Sequence, residues 1–367
     1  MTRKEFIKIC GILGVAIPIQ LPLISCSDDD KIQQSFKGKV LIIGAGAGGL
    51  SAGYLLQQQG IEYEILEASA IHGGRMKINT DFADFPIPLG AEWLETDTTI
   101  FSEIVNNASV QVNIETVADD PDRKFVNSSW YSFFEEYIVP SVANHISYNT
   151  IVQSIDYSND QVVVTTQNGE HLADRVIVSV PLKILQDGDI NFTPSLPQSK
   201  IDAINGTTIW EGFKAFFEFS TKFYNDEHEF PITPATDGEK IYYNATLGQN
   251  TAKHILGLFV VGKPALDYIS LSDNDLKDFI LNELDGIYSN QATPNYVKHI
   301  SQNWNNEPFI KSGYMTDNAD WKTVRELGTP VANKIHFAGG AYTDGEDWVS
   351  VHTAAQSAKK AVEELSN

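Results

Sequence analysis

The segment from Val40 to Glu67 constrains this chain more than any other. Lys39-Val40-Leu41-Ile42-Ile43 is a short apolar run that predicts a buried parallel strand, and it leads into Gly44-Ala45-Gly46-Ala47-Gly48-Gly49. Leu50, Ala52, Tyr54, Leu55 and Leu56 then follow a helical period that Gly60 ends, and a second strand from Ile61 to Leu66 runs into Glu67. In this order the elements form a dinucleotide-binding fingerprint. Gly44 permits the tight turn, Gly46 lets backbone approach a pyrophosphate, and Gly49 lets the helix pack on the strand; Gly48 is counted with them at a helix N-terminus that faces the phosphates. Glu67 lies about 20 residues past the first glycine, where an acid accepts hydrogen bonds from a ribose diol. A purely structural glycine turn is the other use of such a segment, but it needs none of the flanking order. NAD and FAD share the fingerprint, which does not choose between them.

Composition narrows the function classes. The chain has 367 residues, 42% of them apolar, enough for two domains and too many for a disordered chain. A formal net charge of −22 repels a nucleic-acid backbone, so no nucleic-acid partner is expected. Two cysteines exclude a disulfide framework and a cysteine-based zinc or iron–sulfur site. None of the eight histidines, His72 included, has a partner at HxxxH or HxH spacing, and no metal is expected.

Residues 1–26 read as an address. Arg3, Lys4 and Lys8 form a basic start, and the apolar stretch Ile9 to Ile24, interrupted by Pro18, Gln20 and Pro22, is too short for a spanning helix. It ends in Leu23-Ile24-Ser25-Cys26, which resembles the lipobox of bacterial lipoproteins. That resemblance implies a signal peptide, lipidation of Cys26 and a membrane anchor outside the cytoplasm, on the periplasmic face or the cell surface. Thr2 to Lys8 also resembles a twin-arginine signal with Lys4 in place of the second arginine. Twin-arginine export, general secretion and a plain N-terminal segment all stay open. Ser27-Asp28-Asp29-Asp30 suits either the acidic run after a lipidated cysteine or a solvated linker.

The residues after the fingerprint separate the cofactors. Glu67-Ala68-Ser69-Ala70-Ile71-His72-Gly73-Gly74-Arg75 resembles the E-x(5)-GGR segment of the flavin-dependent amine oxidase family. Leu89-Gly90-Ala91-Glu92-Trp93-Leu94 resembles the same family's next flavin contact, which takes in Gly90, Ala91, Glu92 and Trp93. The resemblance implies FAD, with Gly74 along its pyrophosphate and Arg75 supplying charge there. A surface ion pair is the alternative for Arg75.

Further along, Gln161–Thr166 and Arg175–Val180 are β-branched runs around a turn at Asn168-Gly169, a meander followed by a strand. Asn149-Thr150-Ile151-Val152 resembles the family's returning FAD segment, which implies that Val152 backbone meets the adenine; a core valine serves equally. Gly212 to Phe219 alternates into a strand in which Lys214 matches the family lysine bonded through water to flavin N5. A lysine inside an aromatic strand is costly unless its ammonium finds partners, though it can also snorkel to the surface. Trp304-Asn305-Asn306-Glu307-Pro308-Phe309-Ile310-Lys311-Ser312-Gly313-Tyr314 resembles W-x-x-[DE]-P-[FY]-x-x-G-x-Y, which implies that Tyr314 forms one wall of an aromatic slot; a core tyrosine is the plainer use. Ile335-His336-Phe337-Ala338-Gly339 and Val351 to Ala358 resemble the closing FAG…VHGA…SG element, whose helix aims its positive end at the flavin.

The departures from that family are specific. Gly340 stands where a glutamate or threonine usually bonds the ribityl chain, and Thr353 and Ala358 replace glycines. Ser350, with Trp348 nearby, stands where relatives carry a second slot tyrosine. No cysteine lies near these motifs, so the FAD is expected to be non-covalent. Only 51 residues separate Glu95 from Ser147, where relatives hold a larger helical region; Asp119-Asp120-Pro121-Asp122 reads as a loop crossing that deletion. An open site, or one completed by a protein partner, follows.

The reading is an α/β fold: a Rossmann-type FAD-binding domain with an inserted mixed α+β substrate domain. Its parts are a signal peptide over 1–26, a linker over 27–38, FAD-binding segments over 39–95, 148–190 and 301–367, a shortened helical region over 96–147 and a substrate domain over 191–300. Lys214, Tyr314 and Trp348 are the candidate catalytic residues; Gly339, Gly340 and Val351 join the cofactor contacts already named. The resemblance implies oxidation of an amine or amino acid by hydride transfer to flavin N5, with O2 returning the flavin to its oxidised state and giving H2O2. An FAD-dependent desaturase or isomerase and a tethered, non-catalytic FAD-binding protein are the alternatives.

Overall fold

The computed structural model describes residues 36–116, 123–233, 236–315, 320–343 and 349–366. The chain enters through β1 (Val40–Ile43), turns at the glycines into α1 (Ala47–Gln59), and returns through β2 (Tyr63–Leu66). Gly60 ends α1 in the left-handed conformation that glycine adopts without a Cβ penalty. A short hairpin strand, β3 (Arg123–Phe125), precedes α2 (Trp130–Tyr137) and β4 (Ile146–Ser147). The meander β5 (Val152–Asp156), β6 (Val162–Thr166) and β7 (Gly169–Ala173) follows, then β8 (Arg175–Val178).

A second sheet is built from β9 (Gly212–Phe219), β10 (Gly238–Asn244) and β11 (His254–Gly262), backed by α3 (Asp273–Ile287) and closed by β12 (Tyr296–Asn303). The chain then returns through β13 (Ile335–Phe337) and ends in α4 (Val351–Glu364).

The parallel sheet has the order β13-β8-β1-β2-β4. The strand order reverses at β1, whose partners on its two sides are β2 and β8, and such a switch point opens a crevice at the carboxyl ends. Period-two alternation gives each face its own core. Val40 and Ile42 pack with α1, α2 and α4, whereas Leu41 and Ile43 pack with the meander. In the second sheet Phe213, Ala215, Phe217 and Phe219 pack against Leu276, Ile280 and Leu284 of α3. The same alternation turns Lys214 and Phe216 toward the other face.

Three boundaries differ from the expected ones. The helices at Thr99–Val105 and Trp130–Tyr137, expected in a shortened substrate region, bury Phe101, Ile104, Trp130 and Phe133 in the core around α1. Apolar faces of that size need a partner, and the dinucleotide-binding layer supplies it. Asn191–Thr193, expected to begin the substrate domain, pairs in parallel with β5, and the helix Gln198–Gly206 packs in the meander core. The second sheet, in turn, runs through Asn303 rather than stopping at 300. Asp119 to Asp122 and Cys26 lie outside the described residues.

Candidate active site

A cavity of about 560 Å3 opens at the carboxyl ends of β1 and β8 and runs to the face of the second sheet that carries Lys214. Its volume lies in the range of cofactor and ligand sites. Gly46, Gly48, Glu67, Gly74, Arg75, Val152 and Gly339 line it, together with Lys214, Phe259 and Tyr314.

The glycines divide into those that are crowded and one that is not. A Cβ on Gly49 would lie 1.9 Å from the Gly44 carbonyl oxygen, so only glycine lets α1 sit this close to β1. A Cβ on Gly48 would stand 2.9 Å from Gly339 backbone, and one on Gly90 would stand 1.7 Å from the Arg75 carbonyl oxygen. Gly46 is the exception: a Cβ there meets nothing within 4 Å, because that side faces the cavity. The open side of Gly46, beside the N-terminus of α1, is where backbone can meet a phosphate.

Glu67 is buried at the lip. One oxygen accepts the Ala45 N–H at 2.6 Å and the other the Ser69 N–H at 2.8 Å. These bonds fix the carboxylate and leave acceptor capacity for a ribose. Arg75 lines the cavity and donates to the Gly313 carbonyl at 2.6 Å, tying its loop to the segment that carries Tyr314. Val152 lies on β5, buried in the meander core and bordering the cavity, so both uses expected of it coincide. Ala91 donates to the Arg75 carbonyl at 2.9 Å, which holds the Gly90–Trp93 segment along the wall.

Glu92 borders the cavity, but its carboxylate is engaged on the protein side. Its Oε2 accepts the Lys214 ammonium at 2.7 Å and the Tyr243 hydroxyl at 2.5 Å, and its Oε1 faces the Lys124 ammonium at 3.2 Å. A flavin contact by this side chain, expected from sequence, therefore has two buried lysines as competitors. Lys214 also donates to the carbonyls of Gly90 at 2.9 Å and Pro88 at 3.2 Å. Burial pushes the Glu92 carboxyl up, yet the Lys214 and Lys124 charges outweigh it and hold the group below the ordinary carboxylate value. Burial pushes Lys214 down, the Glu92 charge and hydrogen bond pull it back, and Lys124 pushes it down further; the net is below the ordinary lysine value.

Lys124 and Tyr243 escaped the sequence reading. Lys124 sits between Arg123 and Phe125 on a three-residue strand with no recognisable motif, and Tyr243 lies within one alternating strand among several. Tyr314 pairs with Trp210 in a two-residue bridge and is half-buried on the cavity wall, with Phe259 on the neighbouring sheet. Trp304 donates to the Leu89 carbonyl at 3.1 Å, and Glu307 pairs with Lys77 at 2.7 Å. The tryptophan and glutamate of that motif thus brace the cradle, while its tyrosine faces the cavity.

At the C-terminal end, Gly339, Gly340 and Val351 line the cavity beside the N-terminus of α4. Ser350 and Thr353 form a capping box there, with the Ser350 N–H donating to Thr353 Oγ1 at 2.9 Å. Thr353 thus caps where a glycine was usual, and the Ser350 hydroxyl takes part in the cap while Ser350 lines the cavity. Trp348 lies outside the described residues. Among the described residues no three His, Cys, Asp or Glu side chains gather as a metal site. His72 is held by Tyr148 at 2.6 Å and by Glu135, and stacks on Tyr131.

Fold and cradle together define a dinucleotide-binding protein with an open phosphate approach at Gly46, two helix N-termini on one cavity and a buried acid, Glu67, in its lining; these residues fit FAD. The chain belongs to the family of flavin containing amine oxidoreductases, which it matches over residues 131–366, and residues 42–107 match the NAD(P)-binding Rossmann-like domain. FAD is the cofactor that the cradle serves.

Among its relatives, lysine-specific histone demethylase 1B of Mus musculus is 30% identical over 170 residues, which cover 44% of this chain and 20% of that protein. Probable polyamine oxidase 4 of Arabidopsis thaliana is 28% identical over 207 residues, 56% of this chain and 41% of the relative. The chain thus spans less than half the length of these relatives. The solved structure of wild-type putrescine oxidase bound to putrescine is similar with a TM-score of 0.70 at 15% identity, covering 90% of this chain and 99% of that one, which shows the shared fold.

Proposed function

We propose that this protein is an FAD-dependent amine oxidase. When bound, the flavin supplies the acceptor for a hydride from the carbon beside a neutral amine and is returned to its oxidised form by O2, with release of H2O2. The chain's own residues do the rest. The cradle glycines and Glu67 hold the dinucleotide, Arg75 offsets pyrophosphate charge, and the capped N-terminus of α4 presents a positive end to the ring system. Tyr314 and Phe259 orient the amine at the apolar end of the cavity, and Lys214 holds a proton at Nζ beside it.

The observation that carries the reading is Lys214: a buried ammonium with three fixed acceptors, bordering the same cavity as the glycine cradle. Without a cofactor to serve, a lysine in an aromatic strand gains little over an apolar side chain. The absence of cysteine after Cys26 supports a non-covalent flavin.

The test is anaerobic. The purified protein is titrated with monoamines, diamines, polyamines and amino acids while the visible flavin band is followed. Bleaching by one class supports the reading and names the substrate; a yellow protein that no amine bleaches overturns it in favour of desaturation or simple FAD binding.

We also propose that the mature protein is tethered outside the cytoplasm through acylated Cys26, and that a protein partner adds to the substrate side. The lipobox-like end of the N-terminal segment and the 51 residues between Glu95 and Ser147 support these two readings. Intact mass of the membrane-extracted protein tests the first: a mass that lacks the acyl increment at Cys26 sinks it.

A further inference from the structure

Three residues far apart in sequence meet where the second sheet closes on the cradle: Glu92 ahead of the strand Trp93–Leu94, Lys124 on β3 and Lys214 on β9. Each oxygen of the carboxylate meets one ammonium, and the Tyr243 hydroxyl adds a bond to the oxygen that Lys214 uses. None of the four residues is more than 7% exposed. With Glu92 and both lysines ionised and Tyr243 neutral, the group holds two positive charges against one negative, and a buried uncompensated charge is costly. Loss of one proton relieves it.

We propose that Lys124 is a positioning residue for the oxidation, acting through Glu92 to keep the Lys214 ammonium ready to give up its proton. This inference rests on the amine oxidase reading.

Geometry decides which lysine exchanges the proton. Lys214 borders the large cavity, whereas Lys124 does not; it borders a separate cavity of about 10 Å3, the size of about one water molecule. The Lys124 ammonium faces Glu92 Oε1 at 3.2 Å and the Ala245 carbonyl at 3.4 Å, over the rings of Trp93 and Tyr243 at 5.0 and 5.4 Å. Around Lys214, the residues opposite on the flanking strands are Phe259 and Gln302, neither of which titrates. Tyr243 is kept protonated by burial and by the Glu92 charge. Glu67, Arg75, Glu95, Asp189 and Lys311 are the other charged side chains that line the large cavity.

The step is a simple ionisation. The Nζ–H bond of Lys214 breaks, its electron pair stays on nitrogen, and the proton passes to a base or water in the cavity. Glu92 stays ionised, Lys124 stays charged, and the group becomes neutral. No electrons are transferred. Replacing Lys124 by an uncharged residue leaves Lys214 paired one-to-one with Glu92, and the proton is then held more tightly.

The experiment compares the FAD-loaded full chain with Lys124→Met, Lys124→Gln and Lys124→Arg. Two readouts are taken: the pH dependence of anaerobic bleaching by a reducing amine, and the reduction potential of the bound flavin against pH, which needs no amine. Each is expected to break where Lys214 titrates. Lys124→Met moves both breaks up by about one pH unit, and Lys124→Arg keeps them at the wild-type position. Should Lys124→Met fail to fold, Lys124→Gln, which retains a donor for Glu92 but no charge, shows the same upward move. Breaks that stay in place while only thermal stability drops assign Lys124 a structural role and overturn the proposal, as does a wild-type potential plot with no break. If no amine bleaches the flavin, the oxidase reading fails on its own, and the potential plot still decides the case of Lys124.

Discussion

Gly48 and Gly339 approach so closely that a Cβ on Gly48 would stand 2.9 Å from both the Cα and the nitrogen of Gly339, and equally near the Ser179 hydroxyl. This contact joins the fingerprint turn to the segment after β13, two parts of the chain that both line the cavity. Gly48→Ala is therefore expected to lose about 1–3 kcal/mol through forced backbone movement and to retain little FAD. Gly46→Ala meets nothing within 4 Å and is expected to fold like wild type, yet to bind FAD at least about tenfold more weakly. Urea midpoints and FAD titrations on the two variants separate these effects. Equal stability losses in both would count against this division of roles.

Lys214→Met leaves Glu92 paired with Lys124, so no buried carboxylate is stranded and the fold is expected to persist. The flavin should remain bound while the rate of anaerobic bleaching falls about 10²-fold or more, the usual scale for a positioned proton-handling group. Stopped-flow bleaching at saturating amine measures it. An unchanged rate removes Lys214 from the chemistry.

His336 is buried on β13, and neither ring nitrogen has a partner among the described residues. Burial first, and the Arg175 charge second, push it from 6.5 down to about 4. Between those values the unfolded chain holds the extra proton. The stability contributed by the neutral ring is complete above pH 6.5 and is lost as pH falls toward 4, up to about 3 kcal/mol. His336→Phe should flatten the stability curve over that window without loss at pH 7. A variant whose acid sensitivity matches wild type would show that other groups govern it.

Lys200 is buried, with its ammonium on the carbonyls of Glu326, Leu327 at 2.9 Å and Thr329 at 2.7 Å, which closes the end of the helix Trp321–Gly328. Lys200→Met strands these acceptors and is expected to cost about 2–4 kcal/mol, read as a lower urea midpoint with FAD affinity nearly unchanged. A loss below about 0.5 kcal/mol would mean that solvent or neighbouring groups satisfy the carbonyls.

Legibility in the sequence followed locality. The strand, glycines, helix and acid from Val40 to Glu67 interact within one short stretch, so spacing carries their geometry, down to the left-handed Gly60 that ends α1. The meander and the alternating strand around Lys214 were readable for the same reason: a period of two needs only neighbouring residues. The capping roles of Ser350 and Thr353 were not legible, because a capping box and a gap in a glycine pattern look alike until the helix start is located.

What spacing could not carry was which side chains from distant elements share one buried volume. Nothing near Arg123-Lys124-Phe125 indicates that its lysine reaches Glu92, since 31 residues intervene before that strand pairs with Trp93–Leu94, and Lys214 arrives from another sheet altogether. The same holds for the helices between Glu95 and Ser147, whose apolar faces could have covered either domain and settled against α1. Local chain chemistry specified the cofactor cradle, because a turn, a cap and a strand are made by adjacent residues. The charge balance beside it arose from packing, because burial raises the cost of an unpaired ion and so turns a meeting of three remote side chains into a functional constraint.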